Sequence, residues 1–314
     1  MSISAALNSQ IFLTYLAVVG GILLLTGLLL AILSGLGRDV SSVRRTYYGW
    51  LVMVPLVMGT ILLGRIPIII GVTALAIFGF KEFARATGLY DDWWMTGTVY
   101  MGILALGLVT MVSDPRTGDP GWYGMFMTLP VYVVTIILVI PIIRNRARGQ
   151  LRSIALASLG FVYFGWMFSH LGFLANTPRA YGYLLFVLFA VEINDVSAFI
   201  FGKLFGGRKL RDEISPNKTV AGSLGAIGVS LMVPWILLFS FDHFGPLHLI
   251  LTGLIVGIGG QLGDLVISLI KRDIGIKDMG TVISGHGGIL DRVDSMIFVA
   301  PLFFHMIRWF HGLS

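Results

Sequence analysis

The densest chemistry in this 314-residue chain lies between Ser268 and Ser295, SLIKRDIGIKDMGTVISGHGGILDRVDS, a polar segment held between two apolar runs. It carries Lys271, Arg272, Asp273, Lys277, Asp278, His286, Asp291, Arg292 and Asp294, with Gly285, Gly287 and Gly288 around its one histidine. A connection that only joins two helices needs neither this charge nor these glycines. Carboxylates can hold a divalent cation, Lys and Arg neutralise the charge left over, and glycines let backbone N–H groups approach phosphate oxygens. The residue types therefore suit a metal-bridged phosphate site. His286 has three competing roles: phosphate contact, general base, and shaping of the turn. Phosphate contact is preferred, because a phosphate monoester has its second pKa near ~6 and scarcely needs a base at neutral pH. Asp273 and Asp294 either orient cations or cap helices.

Within the apolar runs the acidic residues are Glu192, Asp195 and Asp264. A carboxylate at such depth costs ~2.5–3.5 kcal/mol on insertion scales, which makes each a functional candidate. Asp195 lies eight residues before Lys203, and Asp264 seven before Lys271. At 1.5 Å rise per residue both sit ~10–12 Å inside a helix end, at matching depth, able to face one polar cavity. The alternative for each is an ion pair with Lys or Arg between helices. Glu192, one turn from Asp195, reads equally well as a carboxyl hydrogen-bonded within the bundle. The loop 203–219, KLFGGRKLRDEISPNKT, combines paired glycines, cations and hydroxyls, which suits a triphosphate and also serves as a topology signal.

These groups must be positioned by membrane helices. Hydrophobic residues make up 56% of the chain and charged residues 12%, with a mean hydropathy of +0.88. Soluble domains carry roughly twice that charge, so the composition excludes a soluble fold. The expected architecture is an all-α, polytopic integral membrane bundle. Ten apolar runs are expected to be its spans: 9–35, 49–64, 66–80, 95–112, 124–143, 154–174, 181–202, 220–241, 247–270 and 295–312. The second and third are short and read either as a full hairpin or as a re-entrant pair. One membrane domain is expected, with N-terminal helices over 1–180 and the catalytic helices over 181–314.

Alternate loops hold 18 of the 22 basic residues; Arg65, Arg116, Arg179 and Arg308 are the remainder. The positive-inside rule puts the 18, and with them the polar segment, in the cytoplasm. The net charge of +6 is thus a topology signal and not a nucleic-acid footprint. Cysteine is absent, which excludes disulfides, thiolate metal sites and a cysteine nucleophile. The first charged side chain is Arg38, so the start reads as a retained first span.

Ser268, Lys271-Arg272, Lys277-Asp278, His286-Gly287-Gly288, Asp291-Arg292 and Asp294, eleven specified positions over 27 residues, resemble the signature of the CDP-diacylglycerol synthases, or phosphatidate cytidylyltransferases. Gly263-Asp264-Leu265 fits the same pattern, and Ser215-Pro216 with Lys218-Thr219 resembles the family's second block. Ser284 stands where proline usually precedes the glycine-flanked histidine, a change that loosens the backbone and removes no ligand. The resemblance reaches upstream to about Asn194. It implies transfer of a cytidylyl group from CTP to phosphatidate in phospholipid biosynthesis at the cell's plasma (inner) membrane. The implied catalytic residues are Asp264, Lys271, Arg272, Lys277, Asp278, His286, Asp291 and Arg292. The implied substrate contacts are Asp195, Ser215, Lys218, Thr219, Gly287 and Gly288. Asp264 and Asp291 are the implied ligands of Mg²⁺, with a second metal ion left open. The implied partners are CTP, phosphatidate and the bilayer, and a homodimer is left open. A CTP-dependent polyprenol-type kinase would use similar parts but move the γ-phosphate. A transporter is the reading from another class; inverted repeats would favour it, and none is evident.

Overall fold

The computed structural model describes residues 1–280, 288 and 290–311, apart from the side chains of Ser42 and Asp291. His286 and Gly287 lie outside the described residues, and so does the side chain of Asp291. A short helix α1 (Ile3–Leu7) precedes six long ones: α2 (Gln10–Gly35), α3 (Ser41–Leu63), α4 (Arg65–Thr87), α5 (Trp93–Met111), α6 (Tyr123–Ile143) and α7 (Gln150–Asn176). After α8 (Ala180–Phe205) comes a hairpin of β1 (Lys209–Arg211) and β2 (Ser215–Thr219), then α9 (Val220–Ile236), α10 (Pro246–Asp273) and α11 (Leu290–His311). Among the described residues nine helices are long and apolar enough to cross a membrane, and α9, with 17 residues, is a shorter apolar helix. The protein is a polytopic helical membrane bundle, as its composition requires.

The short second and third runs resolve into a full hairpin. Helices α3 and α4 have 23 residues each, or ~35 Å at 1.5 Å per residue, enough for the ~30 Å hydrocarbon core. Both helices reach this length because they continue through polar residues at their ends, including Tyr47, Tyr48, Lys81, Glu82 and Arg85. Long side chains at helix ends can reach the interface while their stems stay in the apolar layer. Gly64, at φ +108°, makes the turn between the two helices. Beside it Arg65 is held by carbonyls: it donates to Thr110 O at 3.1 Å and Met111 O at 2.7 Å, and to Asn176 Oδ1. That cation ties α4, α5 and α7 together at one end of the bundle.

Helices α8 to α11 pack through small residues. A Cβ on Gly222 of α9 would lie 3.1 Å from the Cα of Gly202 on α8. Cβ atoms on Gly253 and Gly257 of α10 would lie 2.7 Å from Leu231 Cα and 3.1 Å from Ile227 Cα, both on α9. One on Gly263 would come within 3.0 Å of Ser295 Cα on α11 and collide with the Asp294 carbonyl. In a bilayer, where apolar surface gains little by leaving lipid, such close backbone approach and polar contacts between helices drive association. The loop 203–219 folds back as an antiparallel hairpin with Lys209 paired to Thr219 and Arg211 to Ser215. Gly206 and Gly207, both at positive φ, terminate α8 and start the reversal.

Candidate active site

The close packing of α8 to α11 brings the intramembrane carboxylates together. Asp264, on α10, forms an ion pair through Oδ2 with Lys218 Nζ of β2, and its Oδ1 accepts from Ser268 Oγ at 3.2 Å. The hairpin delivers the lysine from 46 positions upstream. Both side chains keep about a quarter of their surface exposed, 23% for Lys218 and 29% for Asp264, so the pair sits at an opening and not in a dry core. One turn before Asp264, residues Ile255–Gly259 form a π-helical turn, a local widening often found at functional sites.

Asp195, on α8, faces the same region. Its Oδ2 accepts from Ser295 Oγ of α11 at 3.2 Å, and its Oδ1 accepts from Asn194 Nδ2 at 3.4 Å. Asn194 is fully buried and its Oδ1 accepts from Ser230 Oγ of α9 at 3.1 Å. Asp195 lies within electrostatic range of both Asp264 and Lys218, and Glu192 within range of Asp195 and Arg292. Gln261 joins α10 to α9 by accepting from Ser223 Oγ and donating to Ser223 O at 3.1 Å. Tyr163, on α7, donates to Gly263 O at 3.3 Å and closes the cluster from the other side. Asp195, Asn194, Ser230, Gln261 and Ser223 are each held by another polar group, as burial in a low-dielectric layer demands.

Other residues singled out in the sequence border this cluster. Lys271 and Arg272 occupy the last turn of α10, where cations complement the helix dipole. Arg272 Nε donates to Ile214 O at 3.4 Å and links that turn to the hairpin. Lys277 and Asp278 are exposed just beyond α10, and Arg292 and Asp294 lie in the first turns of α11. Thr219 is buried, and its hydroxyl caps α9 by accepting from Gly222 N at 3.0 Å. Ser215 is half-buried opposite Arg211. Gly288 is buried against Glu82.

Several residues at or near the cluster were not selected from the sequence, among them Ser295, Gln261 and Ser230 within it and Glu82 outside it, against the start of α11. Hydroxyls and amides in apolar runs carry no distinctive spacing, so the first three left no signal to read. Glu82 did leave one. Phe80, Phe83 and Ala84 continue the apolar face of α4 beyond Lys81, which places Glu82 on a helix and not in a loop.

The donor set is made of carboxylate and hydroxyl oxygens, which suits a hard divalent cation such as Mg²⁺. Among the described residues no three carboxylates or histidines gather as a complete metal site. Asp264 and Asp195, with Ser268 and Ser295 beside them, supply the chemistry such an ion requires.

Comparison with known proteins bears on what this cluster serves. The model of the cytidylyltransferase family matches residues 44–310. The chain belongs to the cytidylyltransferase family. The match starts well upstream of the signature and takes in every described helix from α4 to α10 in full. A phosphatidate cytidylyltransferase of Staphylococcus haemolyticus is 37% identical over 199 residues, covering 63% of this chain and 75% of the relative. One from Staphylococcus aureus is 36% identical over 203 residues, 64% of this chain and 76% of the relative. A protein of Escherichia coli named uncharacterized protein YnbB is 29% identical over 282 residues, 87% of this chain and 89% of the relative. This member of the cytidylyltransferase family is a nucleotidyltransferase embedded in a membrane.

Proposed function

We propose that the protein is a phosphatidate cytidylyltransferase that converts CTP and phosphatidate to CDP-diacylglycerol and pyrophosphate. The observation that carries the reading is the meeting of Asp264, Lys218 and Asp195 at a partly open site at the mouth of the bundle. A non-bridging oxygen of the lipid phosphate attacks the α-phosphorus of CTP. The new P–O bond forms as the bond to the β-phosphate oxygen breaks, and pyrophosphate leaves. The attacking phosphate is already largely ionised at neutral pH, so no residue has to remove a proton from it.

Bringing two polyanions together is the main electrostatic obstacle, and the residue types answer it. Asp264 and Asp291 would hold Mg²⁺, and the ion would supply Lewis-acid stabilisation of the negative charge that the two phosphates bring together. Lys218, Lys271, Arg272, Lys277 and Arg292 balance the triphosphate, and His286 contacts a phosphate oxygen. Asp195 and Asp278 shape the cation's surroundings. Ser215, Gly287 and Gly288 offer hydroxyl and backbone donors to the nucleotide, and Thr219 holds the hairpin in place. The acyl chains of phosphatidate stay in the bilayer while the headgroup reaches the mouth of the site.

The assay that decides it follows the two ends of the triphosphate. With phosphatidate as acceptor, label at the α-position of CTP should enter the lipid fraction, and γ-label should leave as pyrophosphate. Entry of γ-label into lipid would replace this reading with a lipid kinase, and transfer of neither would open the transporter reading.

The site faces the cytoplasm of a plasma membrane in this reading, supported by the 18-to-4 split of basic residues. Because the chain has no cysteine, Arg148→Cys and Arg211→Cys can be probed singly with an impermeant thiol reagent. Neither should label from outside intact cells; labelling of either would reverse the orientation.

A further inference from the structure

Glu82 stands apart from the residues discussed above. It lies on α4, in the first third of the chain, yet only 6% of its surface is exposed and its neighbours belong to the signature segment. Its Oε2 accepts the backbone N–H of Leu290 at 3.0 Å across a sequence separation of 208 residues. Leu290 is the first residue of α11, whose first turns carry Asp291, Arg292, Asp294 and Ser295. Glu82 therefore caps α11 from another helix: a carboxylate meets an N–H that has no partner within its own helix, at the positive end of the helix dipole.

Two glycines close on the same carboxylate. A Cβ on Gly280 would lie 2.5 Å from Glu82 Oε1, and one on Gly288 would lie 2.6 Å from Oε2. Gly280 and Gly288 bracket the 281–287 segment, so one side chain meets the chain where it enters that segment and where it leaves. The side chain of Leu290 is seated one turn away on α4, over Gly79, where a Cβ would lie 2.9 Å from Leu290 Cδ2. Gly79 and Glu82 are three residues apart, on one face of α4. That face fixes both the height and the rotation of the start of α11. The rotation matters to the site, because Ser295, one and a half turns further on, is the residue that reaches Asp195.

We infer that Glu82 is a positioning residue for nucleotidyl transfer: it holds Gly280, Gly288 and the N–H of Leu290 on one carboxylate and sets the register of α11 toward the active-site cluster. The catalytic part of this inference rests on the proposed function. The anchoring part rests on geometry alone. A Leu or Ala at position 82 would take this acceptor away from the N–H of Leu290, a residue with none of its surface exposed.

The test uses the full-length protein in lipid nanodiscs and reads hydrogen exchange, thermal unfolding and steady-state kinetics on the same samples. In Glu82→Ala, the amide of Leu290 should exchange ~10- to 100-fold faster, the size expected when a buried hydrogen bond to a charged acceptor is lost. Amides in α8 and α9 should keep their protection, and the unfolding midpoint should stay within a few degrees of wild type. kcat should fall at least ~10-fold with KM for CTP changed less, as for a misplaced site and not a lost binding group. Glu82→Gln retains an oxygen acceptor and should recover most of the Leu290 protection, with an intermediate kcat. Gly280→Ala is the second arm: it leaves Glu82 in place but pushes a methyl group against it, and should also speed exchange at Leu290. Unchanged Leu290 exchange in both Glu82→Ala and Gly280→Ala would overturn the anchoring. A uniform rise in exchange with a matching fall in unfolding temperature would reduce Glu82 to a general stability role. Local exchange as expected with normal kcat would likewise overturn the positioning role. A wild-type protein that transfers nothing from CTP would sink the proposed function, while the exchange data still decide the anchor.

Discussion

Helices α2 and α11 are both long enough to span a bilayer, and they treat it in opposite ways. Of the nine long helices described, α2 has the highest mean hydropathy and only 6% of its central stretch buried by protein; α11 has the lowest and 61% buried. In a soluble protein the order would be reversed, because water drives the most apolar surface inward. Lipid tails are as apolar as leucine, so α2 gains nothing by leaving them. Helix α11 is drawn inward by what lipid cannot satisfy: Ser295, Asp294 and the backbone N–H that Glu82 caps. The polar cluster that forms the candidate site thus also holds α11 in the bundle, and none of its residues lies on α2.

Breaking the cluster at its charged centre should have the largest effect. Asp264→Asn keeps the volume but loses the charge that holds Lys218 and suits a hard cation. Turnover should fall by at least ~100-fold, the scale on which pre-organised electrostatic groups act. Because the pair is partly exposed, the purified variant should still unfold near the wild-type temperature. Near-normal turnover at saturating Mg²⁺ would remove Asp264 from the mechanism. Asp195→Asn should lose ~10- to 100-fold, the range typical of groups that orient a metal site from just outside it. It can still accept from Ser295, so a larger loss than that of Asp264→Asn would invert the roles assigned here.

Smaller effects sharpen the contrast between the two kinds of helix. In Gly263→Ala the new methyl meets the Asp294 carbonyl and Ser295 Cα. Overpacking of this kind costs ~1–3 kcal/mol, so the unfolding midpoint should drop and activity should fall with it as α10 and α11 separate. Gly21→Ala places the same methyl on α2, where nothing lies within 4 Å. There the helix preference of alanine should make the change neutral or stabilising, by up to ~1 kcal/mol. Equal destabilisation at both positions would show that α2 is packed against protein after all.

Much of this protein is legible in its sequence because a bilayer imposes local rules. Each backbone group must be paired within its own helix, so the apolar runs and the helices nearly coincide. The ends are less legible: the apolar runs 49–64 and 66–80 are shorter than α3 and α4, each 23 residues long, because the helices continue through polar residues at their ends. The depth of Asp195 and Asp264 also follows from counting residues along a helix. Which groups meet does not. Lys218 reaches Asp264 only because an eight-residue strand pair reverses the chain between α8 and α9. Ser295 reaches Asp195 only because Gly263 lets α10 and α11 touch. Glu82 reaches Leu290 across most of the chain. The sequence by itself determined the span pattern, the matched depth of the two carboxylates and the chemistry of the 268–295 segment. The tertiary structure alone decided the pairings, because hydropathy and helical period are properties of one segment, while a polar contact inside a bilayer depends on which helices approach closely enough to share it.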